Sequence, residues 1–178
     1  MDARGDSDAD LVAAWRGGDQ AAAAALVARH TRPLARFLAA AGAEEDLDDV
    51  VQETFFRAFD RIESFRGKSS FRTWLFAIGS NALKDLGRRR TRAKVLSIED
   101  RDVPDVRHGP HEQVVGRELL ERLGEAVSQL PTMQRNVFLM RAQHGAEYAD
   151  IAAALGTSVG AARVHYHHAV RRLKVALE

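Results

Sequence analysis

Three polar residues and one aromatic residue lie at helical spacing near the middle of the chain. They are Asp49, Gln52, Glu53 and Phe56. Because side chains three and four positions apart share one face of a helix, these four form a single surface. Carboxylates at such spacing commonly mark a face that simply meets solvent. A large apolar ring beside them instead favours an interface with a basic protein surface.

Aromatic rings, a short polar loop and a run of cations follow this surface along the chain. The rings are Phe65, Phe71 and Trp74, the loop contains Lys68, Ser69 and Ser70, and the cations are Lys84, Arg88, Arg89 and Arg90. Aromatic rings stack on unpaired bases and cations bind phosphates, so the segment predicts capture of single-stranded nucleic acid. Two alternatives stay open. Phe71 and Trp74 can belong to the core, and Ser69 or Ser70 can cap the next helix.

The segment 148–173 has the pattern of a DNA-reading helix-turn-helix. Gly156 supplies the turn, and Thr157 or Ser158 can cap the second helix. The inward positions are Ala162, Tyr166, Ala169 and Leu173. The surface left to meet a major groove comprises Ser158, Gly160, Arg163, Val164, His167, His168 and Arg171. Arg163 suits a guanine edge and Arg171 suits phosphates. The alternative interpretation is a plain helical hairpin with a solvated basic face.

The composition excludes several kinds of site. None of the 178 residues is cysteine, which excludes a disulfide framework, a thiol nucleophile and a cysteine-ligated zinc site. The histidines at 165, 167 and 168 have no carboxylate or cysteine at ligand spacing, so no metal site is predicted. The sequence contains no recognisable nucleophile–base pair, and we expect neither a catalytic site nor a cofactor.

Charge and hydropathy indicate where such a protein would act. The net charge is only +1, but acids cluster between residues 44 and 53 while residues 84–94 are almost purely basic, which predicts two charged surfaces. The N-terminus lacks the apolar core of a signal peptide. No apolar run approaches the roughly 20 residues of a membrane-spanning helix. We therefore expect a cytoplasmic protein without membrane insertion.

Hydrophobic periodicity and breakers predict an all-α protein with two small helical domains. Residues 1–9 are expected to form a disordered tail, residues 10–91 the first domain, and residues 113–178 the helix-turn-helix domain. Residues 92–112 contain prolines and mixed charge without a sustained period, which predicts a flexible linker between the domains.

Two breakers subdivide the first domain. Gly17 and Gly18 interrupt a first helix, and Asp19 can cap the alanine-rich helix that follows. Pro33 is expected to end that helix and to stand in the first turn of another, over residues 34–41.

Four motifs occur in an order that resembles a known family. D-D-V-V-Q-E-T-F begins at Asp48, F-R-G-K-S-S-F-R-T-W-L at Phe65 and N-A-L-K-D-L-G-R-R-R at Asn81, and L-P-T-M-Q-R-N-V-F-L-M-R begins at Leu130, ahead of the helix-turn-helix. The first three resemble the promoter-melting domain of bacterial sigma factors, and the remainder resembles their second DNA-binding domain. The lack of a domain between them resembles the compact extracytoplasmic-function group. The resemblance covers residues 10–177.

The resemblance implies a non-enzymatic initiation factor with several protein partners. It would bind core RNA polymerase, direct it to a promoter and help to melt the −10 element. The acidic face, defined as Asp49, Gln52, Glu53 and Phe56, would dock on the clamp helices of the largest polymerase subunit. The helix over residues 133–140 and its neighbours would pack on the flap of the second-largest subunit. An anti-sigma factor is a further expected partner.

The resemblance also implies contacts with promoter DNA. Phe65 with Lys68, Ser69 and Ser70 would hold a flipped base of the −10 element, backed by Phe71, Trp74 and Asn81. The backbone phosphates would be held by Lys84, Arg88, Arg89 and Arg90. The groove-reading surface of the helix-turn-helix would face the −35 element. The linker acids Glu99, Asp100, Asp102 and Asp105 could mimic nucleic-acid charge inside the polymerase.

Some positions depart from the family pattern. Val164 stands where such proteins often carry a small polar residue, His165 and His168 replace basic residues, and Ala77 replaces a frequent arginine. The promoter sequence therefore cannot be predicted, although Val164 suits a thymine methyl group. Two other classes of protein share a helix-turn-helix: a DNA-binding regulator that does not act as a polymerase subunit, and an enzyme with a regulatory helix-turn-helix. A simple repressor has no use for the acidic face, and no catalytic constellation supports an enzyme.

Overall fold

The computed structural model describes residues 7–43, 46–96 and 114–178, with side chains described as far as residue 92 and again from residue 121. Within these ranges every regular element is helical, which confirms the predicted all-α class. The helices are α1 (Asp8–Arg16), α2 (Gln20–Ala40), α3 (Leu47–Asp60), α4 (Phe71–Leu96), α5 (Val114–Ser128), α6 (Thr132–Ala142), α7 (Tyr148–Leu155) and α8 (Val159–Leu177), with a 3-10 turn (Ile62–Ser64) after α3.

Local capping fixes where the first two helices begin. Ser7 accepts the backbone N–H of Asp10 and the Asp10 carboxylate accepts the N–H of Ser7, a capping box that starts α1 two residues before its expected position. Asp19 caps α2 through the N–H of Ala21, as predicted. The rest of the expected tail, residues 1–6, lies outside the described residues.

Pro33 lies inside α2, so the predicted break at this proline is wrong. A proline in a helix interior costs about 3 kcal/mol, because it removes a backbone donor and crowds the preceding turn. Leu26, Leu34 and Phe37 lie on both sides of it and are fully buried. Fully burying such a side chain contributes about 1.5–3 kcal/mol, so a continuous apolar face outweighs the local penalty.

The core of the first domain forms where α4 crosses α2 and α3. The rings of Phe37 and Phe76 stack at 4.5 Å between centroids, and Leu75 and Ala58 are fully buried beside them. Gly79 permits this approach, because a Cβ there would lie 3.2 Å from methyl groups of Leu34 and Leu38. Helix α4 continues to Leu96, into the segment expected to be linker, and the linker acids between 99 and 105 lie outside the described residues.

The second half of the chain packs around α8 and also against the first half. Val137, Met140 and Ile151 are buried with the inner face of α8. Between the halves, the buried amide of Asn136 donates to the Ser80 hydroxyl at 2.6 Å. The His144 ring lies 4.6 Å from Phe76. No local sequence pattern indicates this packing, because it joins residues that are far apart in the chain.

The half-buried position of His144 predicts a pH dependence of stability. Burial lowers the pKa of His144 below its usual value, and Arg72 and Arg36 lower it further. The folded protein thus favours neutral His144. Its contribution to stability is complete above the unfolded pKa of about 6.5 and is lost as the pH falls through that value toward the lowered folded pKa.

We expect the urea midpoint of unfolding to be lower at pH 5.5 than at pH 7.5, and the difference to shrink in a His144→Gln variant. His30, buried with its pKa also lowered mainly by burial, contributes in the same direction and is retained in both proteins. Equal pH dependence of the two proteins would show that His144 remains accessible to protons in the folded state.

Candidate docking and nucleic-acid interfaces

The acidic face is assembled on the outer side of α3. Its four residues are all exposed, and 71% of the surface of Phe56 is open to solvent. The opposite side of the same helix is buried through Val50, Thr54 and Phe55. The helical spacing that predicted a shared surface therefore places these side chains together.

Arg57 connects the acidic face to α4. Its Nε donates to Glu53 at 2.7 Å and its Nη1 donates to Asp85 at 2.8 Å. The hydrogen bond from Arg57 is the main cause that lowers the pKa of the Asp85 carboxyl. Glu53 and Arg57 are four residues apart, which the sequence could have signalled, but Asp85 comes from a distant segment. The network orients Glu53 and joins α3 to α4.

A shallow cavity of about 200 Å³ lies along this network between α3 and α4. Its lining residues are Asp49, Val50, Glu53, Arg57, Ala82, Asp85, Leu86 and Arg89. Charged groups of both signs border its apolar floor. The cavity extends the acidic face into a concave surface that a protruding partner side chain can enter.

The loop over residues 66–70 joins the 3-10 turn to α4. Gly67 adopts a positive φ of 66°, a conformation that glycine allows without steric cost. Ser70 accepts the N–H of Thr73 at 3.1 Å, so it is Ser70 that caps α4. Lys68 and Ser70 are exposed and Ser69 is half-buried. The loop therefore presents polar groups between two fixed ends.

The three aromatic rings beside this loop form one cluster. Phe65 packs edge-on to Phe71 at 5.7 Å, and Trp74 lies 5.2 Å from Phe65 and 5.7 Å from Phe71. Phe71 is 2% exposed and Phe65 is 9% exposed, whereas Trp74 is half-buried. Of the alternatives left open by the sequence, core placement applies to Phe71. Both phenylalanine rings support the loop from below, and Trp74 retains open surface.

The four predicted phosphate-binding residues lie on α4 and are all exposed: Lys84, Arg88, Arg89 and Arg90. Asn81, which was predicted to back the base pocket, is exposed on the same helix. Trp74, Asn81 and Arg88 are seven residues apart, so they follow one stripe along the helix, about 21 Å long at 1.5 Å per residue. Arg90 instead pairs with Asp46 at the start of α3. We call Trp74, Asn81, Lys84 and Arg88 the α4 stripe.

The helix-turn-helix is present as α7 and α8. Gly156 adopts the left-handed conformation at the end of α7, and Ser158, rather than Thr157, caps α8 through the N–H of Ala161. Ala162, Ala169 and Leu173 are buried as predicted. The predicted groove-reading residues are all exposed: Ser158, Gly160, Arg163, Val164, His167, His168 and Arg171.

A hydrogen bond joins the loop over residues 66–70 to the helix-turn-helix. The backbone N–H of Ser70 donates to the Asp150 carboxylate of α7 at 3.2 Å. A cavity of about 310 Å³ opens beside this bond, with Arg72, His144 and Glu147 among its lining residues. Asp150 was not among the predicted site residues, and no local pattern could have paired it with Ser70.

Two kinds of feature are absent from the residues that the structure describes. No group of three or more histidine, aspartate or glutamate side chains there is arranged to hold a metal ion. None of the helices there is both long and apolar enough to cross a membrane.

Comparison with known proteins assigns both halves. Residues 26–93 match the family model for sigma-70 region 2, and residues 120–173 match that for sigma-70 region 4. The RNA polymerase sigma factor CnrH of Cupriavidus metallidurans is 36% identical over 97% of this chain and 95% of its own length. The ECF RNA polymerase sigma-E factor of Escherichia coli is 31% identical over 88% of this chain and 87% of its own.

A solved structure shares the arrangement of the helices. It is that of CnrH in complex with the cytosolic domain of CnrY, with a TM-score of 0.71, 33% sequence identity and coverage of 97% of both chains. The two family matches cover α3 and α4 and the helix-turn-helix, in the order in which the motifs predicted them. The chain belongs to the extracytoplasmic-function sigma factors of the sigma-70 family, a non-enzymatic class of transcription initiation factors.

Proposed function

We propose that this chain binds core RNA polymerase, directs it to promoters with −35 and −10 elements, and helps to open the −10 element. The observation that carries the proposal is the exposed Phe56 ring within the acidic face of α3. An initiation factor needs a surface for the polymerase as well as surfaces for DNA, whereas a simple repressor needs only the latter. We propose the cytoplasm as its place of action.

The acidic face is suited to the clamp helices of the largest polymerase subunit. Phe56 leaves most of its ring in water, a cost that docking would remove. Asp49 and Glu53 surround the ring with negative charge, which steers a basic partner and excludes acidic ones. Arg57 holds Glu53 in place before binding, so less side-chain entropy is lost at the interface.

A Phe56→Ala substitution should weaken binding to core polymerase by about 30-fold, the effect of losing a hot-spot contribution of about 2 kcal/mol. Thermal stability should change little, because the ring is exposed. Fluorescence anisotropy of labelled protein titrated with core polymerase measures the affinity. Val175→Ala is the matched control, since Val175 on α8 is 72% exposed and lies outside the acidic face.

Equal affinities of the Phe56→Ala variant and the wild type would remove the docking assignment. An equal loss in the Val175→Ala variant would show that exposed apolar area in general, and not the acidic face, determines binding.

The loop over residues 66–70 and the α4 stripe are suited to the opened −10 element. Lys84 and Arg88 are exposed and positioned to follow a phosphate backbone, and Trp74 offers part of an aromatic surface to an unstacked base. Phe65 and Phe71 act from below, because their buried rings fix the position of the loop. Base capture would then use the polar groups of Lys68, Ser69 and Ser70, in addition to Trp74.

The exposed face of α8 is suited to the −35 element, with α6 beside the flap of the second-largest subunit. Met133 and Phe138 of α6 remain half-buried and are the apolar groups there that a flap contact could cover further. Val137, Leu139 and Met140 are buried and serve the core instead. On α8, Arg163 and Val164 provide a guanine-reading guanidinium and an apolar contact for a thymine methyl group.

An Arg163→Ala variant should lose about 1–3 kcal/mol of binding to the preferred −35 sequence and should relax the preference at one base pair. A Lys174→Ala variant removes an exposed cation farther along α8. It should weaken binding evenly across sequences and reduce the salt-dependence slope by about 1. Competition binding of the polymerase complex to a −35 duplex library separates the two effects. An unchanged sequence preference for Arg163→Ala would exclude Arg163 from base reading.

We also propose an anti-sigma factor as a partner. The supporting finding is that the CnrH structure contains the cytosolic domain of CnrY.

The linker acids between 99 and 105 remain candidates for the mimicry of nucleic-acid charge inside the polymerase.

A further inference from the structure

Arg16, the last residue of α1, reaches across to the 3-10 turn that precedes the loop over residues 66–70. Its Nη2 donates to the backbone oxygen of Ile62 at 2.8 Å and also to that of Phe65. The side chain is 33% exposed, and Glu63 lies 3.8 Å from its Nε. One guanidinium nitrogen thus uses its two N–H bonds for two carbonyl groups from another part of the chain.

These two carbonyl groups lie where a helical turn ends. The Ile62 carbonyl already accepts the backbone N–H of Phe65 at 3.1 Å, and because a carbonyl oxygen has two lone pairs it can accept a second donor. The guanidinium of Arg16 supplies several donors in a fixed plane and carries a permanent positive charge. Arg16 therefore fixes the backbone at Phe65, immediately before the loop begins.

The helix that bears Arg16 is itself anchored at both ends. At its beginning, Asp8 accepts from Arg29 of α2 at 2.7 Å. At its end, the Trp15 ring packs 5.2 Å from Phe59 of α3. The contact with the turn is consequently made by a side chain on a braced element.

The loop is thereby fixed at its entrance in two ways. Arg16 holds the Phe65 carbonyl, and the Phe65 ring is held by Phe71 and Trp74. At the exit, Ser70 caps α4 through Thr73. With these anchors in place, the position of Lys68 and Ser69 depends on the turn at Gly67.

We propose that Arg16 is a positioning residue for base capture in the −10 element, acting through the Ile62 and Phe65 carbonyls on the loop over residues 66–70. The inference rests on the proposed function of that loop. Arg16 need not touch DNA. Its loss frees the loop entrance and relaxes the discrimination between the correct base and other bases, because misplacement by about 1 Å can cost up to about 100-fold in a positioned interaction.

The test uses the complex of core polymerase with the full chain and single-stranded −10 oligonucleotides. The wild-type complex first defines the preferred base at each position from a randomised pool. The measured quantity is then the ratio of dissociation constants for the substituted and the preferred base at the captured position. This ratio does not depend on the fraction of active protein, so partial misfolding alone cannot change it.

We expect Arg16→Met to lower this ratio about tenfold, with unchanged affinity for core polymerase. Arg32→Met is the matched control, since it removes the same charge from an exposed position on α2 and should retain the wild-type ratio. Arg16→Lys keeps the charge but lacks the planar pair of donors, so its ratio should lie between the two.

The outcomes separate this inference from the proposed function. A wild-type complex without any base preference would remove the −10 role of the loop. A wild-type preference that Arg16→Met retains in full would overturn the role of Arg16 alone. If Arg16→Met does not fold, Arg16→Lys decides, and an unchanged ratio in that variant overturns the proposal. An equal loss in Arg32→Met would also overturn it.

Discussion

The close approach of α4 to α2 and α3 is the constraint on which the remaining surfaces depend. Gly79 lies where a Cβ would meet methyl groups of Leu34 and Leu38 at 3.2 Å and the Thr54 hydroxyl at 3.3 Å. A side chain there would push the helices apart, which a close-packed interior accommodates poorly. Because this contact fixes the inner side of α4, it also fixes which residues point outward. The α4 stripe on one helix and the acidic face on the next are two consequences of the same packing.

Ion pairs hold acidic and basic side chains of α3 and α4 next to one another. Arg57 joins Glu53 to Asp85, and Arg90 joins Asp46. Exposed ion pairs contribute only about 0–1 kcal/mol each to stability, so their larger effect here is on geometry. They hold charged side chains in defined positions before a partner arrives, which reduces the entropy lost on binding. The surface proposed for the polymerase and the surface proposed for DNA are therefore joined by ion pairs.

The loop over residues 66–70 lies between these surfaces and is held by contacts from both halves of the chain. Arg16 fixes its entrance, Ser70 caps its exit, and Asp150 accepts the Ser70 N–H. The buried rings of Phe65 and Phe71 support the loop from the core, so that the backbone of the loop is held in place while its polar side chains are exposed. The two halves of the chain also pack on each other through Asn136 and Ser80.

The sequence by itself determined the helical class, the acidic face, the inner face of α8 and the cap at Asp19, because each arises from spacing within a few residues. It left the cap of α8 open between Thr157 and Ser158, and the structure has Ser158 in that place. Only the tertiary structure decided that α2 continues through Pro33, that Phe71 is core, and that Arg90 pairs with Asp46. The same holds for the contacts of Arg16, Arg57 and Asp150. These outcomes depend on burial against distant segments and on partners 28 to 80 residues away, which no local period encodes.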